Sequence, residues 1–196
     1  MSIKQLNGTY LVYEDRVLFR FNTQNQEEYR FWFTRRVTLF ILAATSHLLA
    51  KMREQSHSAD TAKALNDFEK DAILEASKNA QATPQSYETG LNFPLGFDPI
   101  LVMDVTCSLV KNGEKVTASD DLKEGKLDEV LSLDFVLPGG ANANLKLPIN
   151  TLQTMSVLLD QLRLQAGWGE AVLQVKNLSN EQQFFDSKLS EKISIH

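Results

Sequence analysis

A chain of 196 residues, 43% hydrophobic and 23% charged, is long enough to bury a core and too apolar to belong to the disordered class. Its net charge of −5 argues against bulk, sequence-independent binding to nucleic acid, which relies on many phosphate contacts. A single cysteine, Cys107, excludes an intrachain disulfide framework and any multi-cysteine metal site.

The charge is uneven: residues 1–58 carry 8 basic and 5 acidic side chains, whereas residues 59–130 carry 7 and 14. A local basic patch near the N-terminus is therefore compatible with an acidic whole. The opening MSIKQLNGTY has no apolar core of the secretory kind. The longest apolar stretch, Val37 to Ala50, already holds Thr38, Thr45, Ser46 and His47 and falls short of the roughly 20 residues a membrane span needs. These features predict a soluble, cytoplasmic protein. One domain over residues 1–178 and a polar tail over 179–196 are expected.

In chain order, TYLVYEDRVLFRF (9–21) alternates with period two about Glu14 and Asp15 and reads as a β-hairpin. The polar NTQNQEE loop leads into EYRFWF, where four aromatics in five positions suit a strand over 28–33. A helical reading of 27–34 also exists, with Asn25 and Glu28 as a capping box. Thr34 then caps a helix over 35–54.

A break at Ser56–Ser58 precedes a second amphipathic helix, about 60–80, with Leu65, Phe68, Ala72, Ile73 and Ala76 inward. The Pro- and Gly-rich stretch 83–99 reads as an internal loop rather than a linker. Residues 100–110 form a strand, and the polar stretch 113–129 is an exposed excursion. VLSLDFV (130–136) and ANLKLPI (143–149) form a hairpin, with Pro148 demoting the second strand to an edge. Asn150 caps a third helix, 151–166, with Leu152, Met155, Leu158, Leu159, Leu162 and Ala166 inward, and Gly167 stops it. A short element at 171–175 follows.

The sum is an α+β chain: a largely antiparallel sheet of about six to eight strands with three principal helices. A hairpin followed by a helix occurs twice. Aligning Thr34 with Asn150 sets Arg30 on Lys146 and Phe31 on Leu147. Either any ββα unit looks like this, or the chain holds two pseudo-repeated ββα halves.

No phosphate-binding glycine loop or GxSxG elbow is present, since Pro138-Gly139-Gly140 has the context of a hairpin turn. His47, His57 and His196 show no zinc spacing, and His47 reads as a partly buried core residue. Cys107 lies in an apolar run and reads as a small buried hydrophobe. Asp120-Asp121 and Asp128-Glu129 sit in polar sequence and read as solvated charge. No cofactor and no metal are expected.

The remaining candidate is basic and aromatic: Arg20, Arg30 and Trp32 on one sheet face, with Arg35 and Arg36 in the first turn of the following helix. Cations there oppose the helix dipole by about 0.3–1 kcal/mol each. Glu27, Glu28, Asp134 or an external anion must compensate, and guanidinium beside aromatic surface also suits single-stranded nucleic acid. The bland reading makes Trp32 core and pairs the arginines within the chain. Three functions are thus expected: an interaction protein binding itself or a protein partner, a nucleic-acid or anion-binding module using these five residues, and an enzyme with a site dispersed around His47 or His57.

Overall fold

The computed structural model describes residues 2–54, 56–80, 86–116 and 127–170. Among them, period-two alternation builds an antiparallel meander of β1 (Ile3–Leu11), β2 (Arg16–Thr23) and β3 (Glu28–Thr34). The β1–β2 turn lies where Glu14 and Asp15 predict it, although β1 begins earlier than the alternation suggests. Residues 28–33 are a strand. α1 (Arg35–Glu54) starts directly after Thr34, whose hydroxyl accepts a long 3.4 Å hydrogen bond from the Val37 amide.

α2 (Ala59–Ala80) is rotated from the expected face. Ala62 is buried and Leu65, Asn66 and Ile73 are half-buried, but Phe68, Ala72 and Ala76 are exposed. The cause is polar. Glu69 of α2 accepts hydrogen bonds from Arg53 of α1 and Gln153 of α3, so the surface that α2 meets is not uniformly apolar.

The chain then returns to the first sheet. Residues 86–99 lie against β1, β2 and β3, and end in β4 (Ile100–Leu101), which pairs in parallel with Phe31 and Trp32. The strand expected over 100–110 is therefore divided. β4 belongs to one sheet and β5 (Asp104–Lys111) to another. The crossing is fixed by the Val102 amide on the Trp32 carbonyl (3.0 Å) and the Met103 amide on the Val136 carbonyl (2.8 Å).

β6 (Glu114–Val116), β7 (Leu127–Val136) and β8 (Asn142–Pro148) complete the second sheet. The strand orders are β1-β2-β3-β4 and β6-β5-β7-β8, so among the described residues eight strands form two four-stranded sheets, where one sheet was expected. β8 is an edge strand ending in Pro148, as the missing proline amide requires. α3 (Ile149–Gln165) begins before Asn150, whose side chain does not cap it. Gly167, at φ 65, follows the helix in the left-handed conformation that suits glycine. The expected element at 171–175 and the tail over 179–196 lie outside the described residues, as do Asp120, Asp121 and the side chains of Asp128 and Glu129.

The inner faces of both sheets feed one core. Phe19, Phe21, Phe31 and Phe33 of the first sheet are buried, and Phe135 of β7 meets Phe31 and Phe33 edge-on at 5.2 and 5.6 Å. Each such ring contributes about 1.5–3 kcal/mol by leaving water. α1 packs against β3 and β5, α3 against β1, β7 and β8, and α2 rides on α1 and α3. Gly8 of β1 allows the close approach of α3, because a β-carbon there would lie 2.5 Å from Leu162 Cδ1. Beyond α3, Trp168 is buried edge-on against Tyr10 at 5.5 Å, and its indole donates to Asp15 at 2.8 Å.

Candidate functional site

β2 and β3 place Arg20 directly opposite Arg30 on the outer face of the first sheet. Like charges in register repel. The structure answers with residues 86–99, a strap laid across that face.

Arg30 Nε donates to Glu28 Oε1 at 2.7 Å, and its guanidinium sits over the Phe93 and Phe97 rings at 4.7 and 4.2 Å. Arg20 donates to Asn7 Oδ1 through Nε and Nη2, at 3.2 and 2.7 Å, and lies over the Tyr87 ring at 4.8 Å. Each cation–π contact contributes about 0.5–2 kcal/mol, more where water is excluded.

Glu28 joins strap to sheet. Its side chain is 0% exposed, with one oxygen on Arg30 and the other accepting the Gly90 amide at 2.7 Å. Backbone bonds continue the join: the Glu28 amide donates to the Asn92 carbonyl, and the Leu91 and Asn92 amides donate to Gln26. Gly90 is required by space, since a β-carbon there would lie 2.8 Å from the Gln26 carbonyl and 2.9 Å from the Glu28 amide nitrogen. Gln5 and Asn22 hold the start of the strap through Ser86 and Glu88, and Lys4 pairs with Glu88.

Burial, then the Glu28 carboxylate, push the Tyr87 phenol up to about 12, against the opposing pull of Arg20 and Arg30. The Tyr87 hydroxyl is buried without a hydrogen-bond partner among the described residues.

The five residues singled out by sequence do not form one open patch. Arg20 and Arg30 lie under the strap, and Trp32 is half-buried. Arg36 is exposed and pairs with Asp104 at 3.1 Å while also bonding the Met103 carbonyl. Arg35 is exposed and makes no hydrogen bond or ion pair among the described residues. None of the carboxylates nominated to neutralise the helix start does so. Glu28 serves Arg30, Glu27 accepts from the Thr23 hydroxyl, and Asp134 serves Lys115 and Asn144. The partner of Arg36 comes from β5, too distant in sequence for any spacing rule to find.

His47 is exposed, contrary to the core reading, and shares a helix face with exposed Phe40 seven residues earlier. His57 is exposed in the α1–α2 turn, and neither histidine lines the groove of about 370 Å³ between the three helices. Burial, then Asp134, push the Cys107 thiol up to about 12, which removes thiolate chemistry at neutral pH. Among the described residues no group of three or more His, Cys, Asp or Glu side chains is placed to hold a metal ion. No described helix is long and apolar enough to cross a membrane.

Outward the strap presents apolar side chains interspersed with the exposed polar Glu88, Thr89, Asn92 and Asp98. Leu91 is 73% exposed, Leu95 38% and Phe97 63%, and Met103 follows at 49%. Other large exposed apolar side chains include the adjacent Val12 and Tyr13 of the β1–β2 turn, Phe68 on α2 and Leu164 on α3. Comparison of the chain with protein-family models, with curated proteins and with solved structures finds no match, so the site is read from its geometry alone.

Proposed function

We propose that this is a non-enzymatic, cytoplasmic interaction protein that binds a second copy of itself or a protein partner through the outer surface of the strap. The observation carrying this reading is the run of exposed Leu91, Leu95 and Phe97 on a backbone hydrogen-bonded to the sheet beneath. Single exposed apolar residues are ordinary, whereas grouped ones mark contact surfaces. Prior ordering matters too: the Arg30 guanidinium under Phe97 and the Glu28–Gly90 bond hold the loop before any partner arrives, which lowers the entropy cost of association. The antiparallel runs β1-β2-β3 before α1 and β5-β7-β8 before α3 support reading the chain as two pseudo-repeated halves, of which, among the described residues, the first carries a strap.

A photo-crosslinking side chain placed at Leu91 tests the docking surface. The expected product is a covalent adduct to this protein or to one defined partner, with none from the same group at Lys146 on the second sheet. Equal or absent adducts at both positions contradict the reading.

A second reading, an anion- or nucleic-acid-binding module, is supported by Arg35, whose charge meets no partner among the described residues. It requires Arg20, Arg30, Trp32, Arg35 and Arg36 to act together, hence a displaced strap. Salt-sensitive binding of a labelled oligonucleotide that weakens in Arg35→Ala and Arg30→Ala is its expected signature. No binding at low salt removes it.

A further inference from the structure

Asn-Gly occurs twice in the chain, at Asn7-Gly8 and Asn112-Gly113, and the fold treats the two pairs in opposite ways. The dipeptide matters chemically. Glycine has no side chain to shield its amide nitrogen, so that nitrogen can reach the side-chain carbonyl of the asparagine before it. Folding decides whether it does, because the attack needs the asparagine side chain to turn back over its own backbone.

Asn7-Gly8 is held. The pair lies within β1, with Asn7 opposite Arg20 and Gly8 opposite Phe19. Asn7 Oδ1 accepts from Arg20 Nε and Nη2 at 3.2 and 2.7 Å, and Gly8 is packed under Leu162 and Leu158 of α3. Turning the Asn7 side chain towards the Gly8 nitrogen breaks both bonds to a charged donor that lies beneath the strap.

Asn112-Gly113 is open. It forms the two-residue turn between β5 and β6, with φ of 51 and 84, the positive angles that a type I′ hairpin turn demands of both central residues. Both residues are exposed, and the Asn112 side chain has no hydrogen-bond partner among the described residues. A β-carbon at Gly113 would meet nothing within 4 Å. The strand beyond the turn is short: β6 has three residues and lies at the edge of its sheet, paired with β5.

We propose that Asn112 is a site of spontaneous modification, deamidating through attack by Gly113, and that its isoaspartyl product releases β6 from the sheet. The Gly113 nitrogen, its proton lost to hydroxide, bonds to Asn112 Cγ. The bond from Cγ to the side-chain nitrogen breaks, and ammonia leaves with a proton from water, which restores the hydroxide. Water then opens the five-membered imide. Attack at Cγ leaves aspartate in an intact backbone, whereas attack at the main-chain carbonyl carbon leaves isoaspartate, with the chain running through Cβ and Cγ. The net reaction converts an amide and water into a carboxylate and ammonium, and nothing is oxidised or reduced. Isoaspartate adds a backbone carbon to a turn whose length sets the register Lys111↔Glu114, Val110↔Lys115 and Leu109↔Val116. The longer turn breaks that register, so β6 comes away and Lys115 loses the alignment that brings it to Asp134. The site lies in the second sheet and depends on neither reading of the strap.

Incubation of the full chain at physiological temperature and mildly alkaline pH, followed by peptide mapping, tests the proposal. The peptide holding Asn112 should show the mass of an amide-to-acid exchange and split into aspartyl and isoaspartyl forms, faster as pH rises. The peptide holding Asn7 should convert more slowly by about tenfold or more, the rate effect of breaking one charged hydrogen bond. In urea, where neither site is held, the two rates should converge. Gly113→Ala, which shields the nitrogen, should slow conversion at Asn112 and leave Asn7 unchanged. The isoaspartyl chain should exchange its Glu114–Val116 amide hydrogens faster than the fresh chain, whereas Asn112→Asp, which carries the charge without the longer backbone, should not. Absence of conversion at Asn112, or equal rates at the two sites in the folded chain, overturns the assignment of the site. Unchanged exchange in the isoaspartyl chain, or an equal rise in Asn112→Asp, overturns the release of β6.

Discussion

The two sheets share a strand order over three strands but treat their outer faces differently. On the first, Arg20 faces Arg30 and a strap covers both. On the second, Asp134 stands opposite Asn144, which donates to it at 2.7 Å, and Lys115 pairs with Asp134 at 2.5 Å. Charges there are balanced between the half-buried Asp134 and the exposed Lys115 and Asn144. The first sheet carries an in-register repulsion that Glu28 of β3 and Asn7 of β1 answer only in part. The three aromatic rings of the strap, Tyr87, Phe93 and Phe97, supply the rest, and the strap in turn presents Leu91, Leu95 and Phe97 outward. The electrostatic problem of one face thus positions the apolar surface proposed for docking.

Breaking the join should separate the two sheets in stability. Glu28→Ala leaves Arg30 unpaired beneath the strap, and removal of one partner from a buried pair costs about 3–5 kcal/mol. Asp134→Ala on the second sheet should cost under about 1 kcal/mol, the range of exposed pairs. Urea denaturation of both variants gives the contrast. Gly90→Ala forces a β-carbon onto backbone atoms and should cost about 1–3 kcal/mol. Gly139→Ala, in the β7–β8 loop, has φ 77 and open space around it, and should cost about 1 kcal/mol from backbone strain alone.

Alkaline pH probes one group in the strap over the first sheet and one in the second sheet. Tyr87 and Cys107 start from ordinary values of 10.0 and 9.0, and both are pushed up to about 12 in the folded chain. The unfolded chain therefore releases these protons first. The stability that depends on them is complete below pH 9 and declines as pH rises towards 12. Tyr87→Phe and Cys107→Ala should each flatten that decline in thermal melts across this range. The smallest effect is expected from Tyr87→Phe at neutral pH. It deletes a buried hydroxyl without a partner and should leave stability unchanged or raise it by up to about 1 kcal/mol.

Local alternation made the meander, the β3-to-α1 switch at Thr34 and the edge position of Pro148 legible, because each follows from a few consecutive side chains. Partners distant in sequence were not legible. Nothing near Arg30 announces Phe93 and Phe97, nothing near Arg36 announces Asp104, and Trp168 gives no sign that Tyr10 will bury it. Periodicity also misplaced the inward face of α2, since a helix lying on two others turns its polar Glu69 towards Arg53 and Gln153. The five-residue basic patch failed to appear as one surface for the same reason: a strand pattern tells which face a side chain takes, not what later segment will cover it. Eight strands were within the expected count, but their division at Val102 and Met103 depends on two hydrogen bonds that no local pattern encodes.

The central claim, taken in its self-association form, is that a second copy of this chain docks on the outer surface of the strap, and sedimentation equilibrium over a range of concentrations tests it directly. The wild-type chain should rise from its monomer mass of 22.1 kDa towards twice that value, while a Leu91→Asp, Phe97→Asp variant with unchanged circular dichroism stays at 22.1 kDa. A wild type that remains at 22.1 kDa contradicts self-association, and a variant that associates as the wild type does contradicts the strap as the surface responsible.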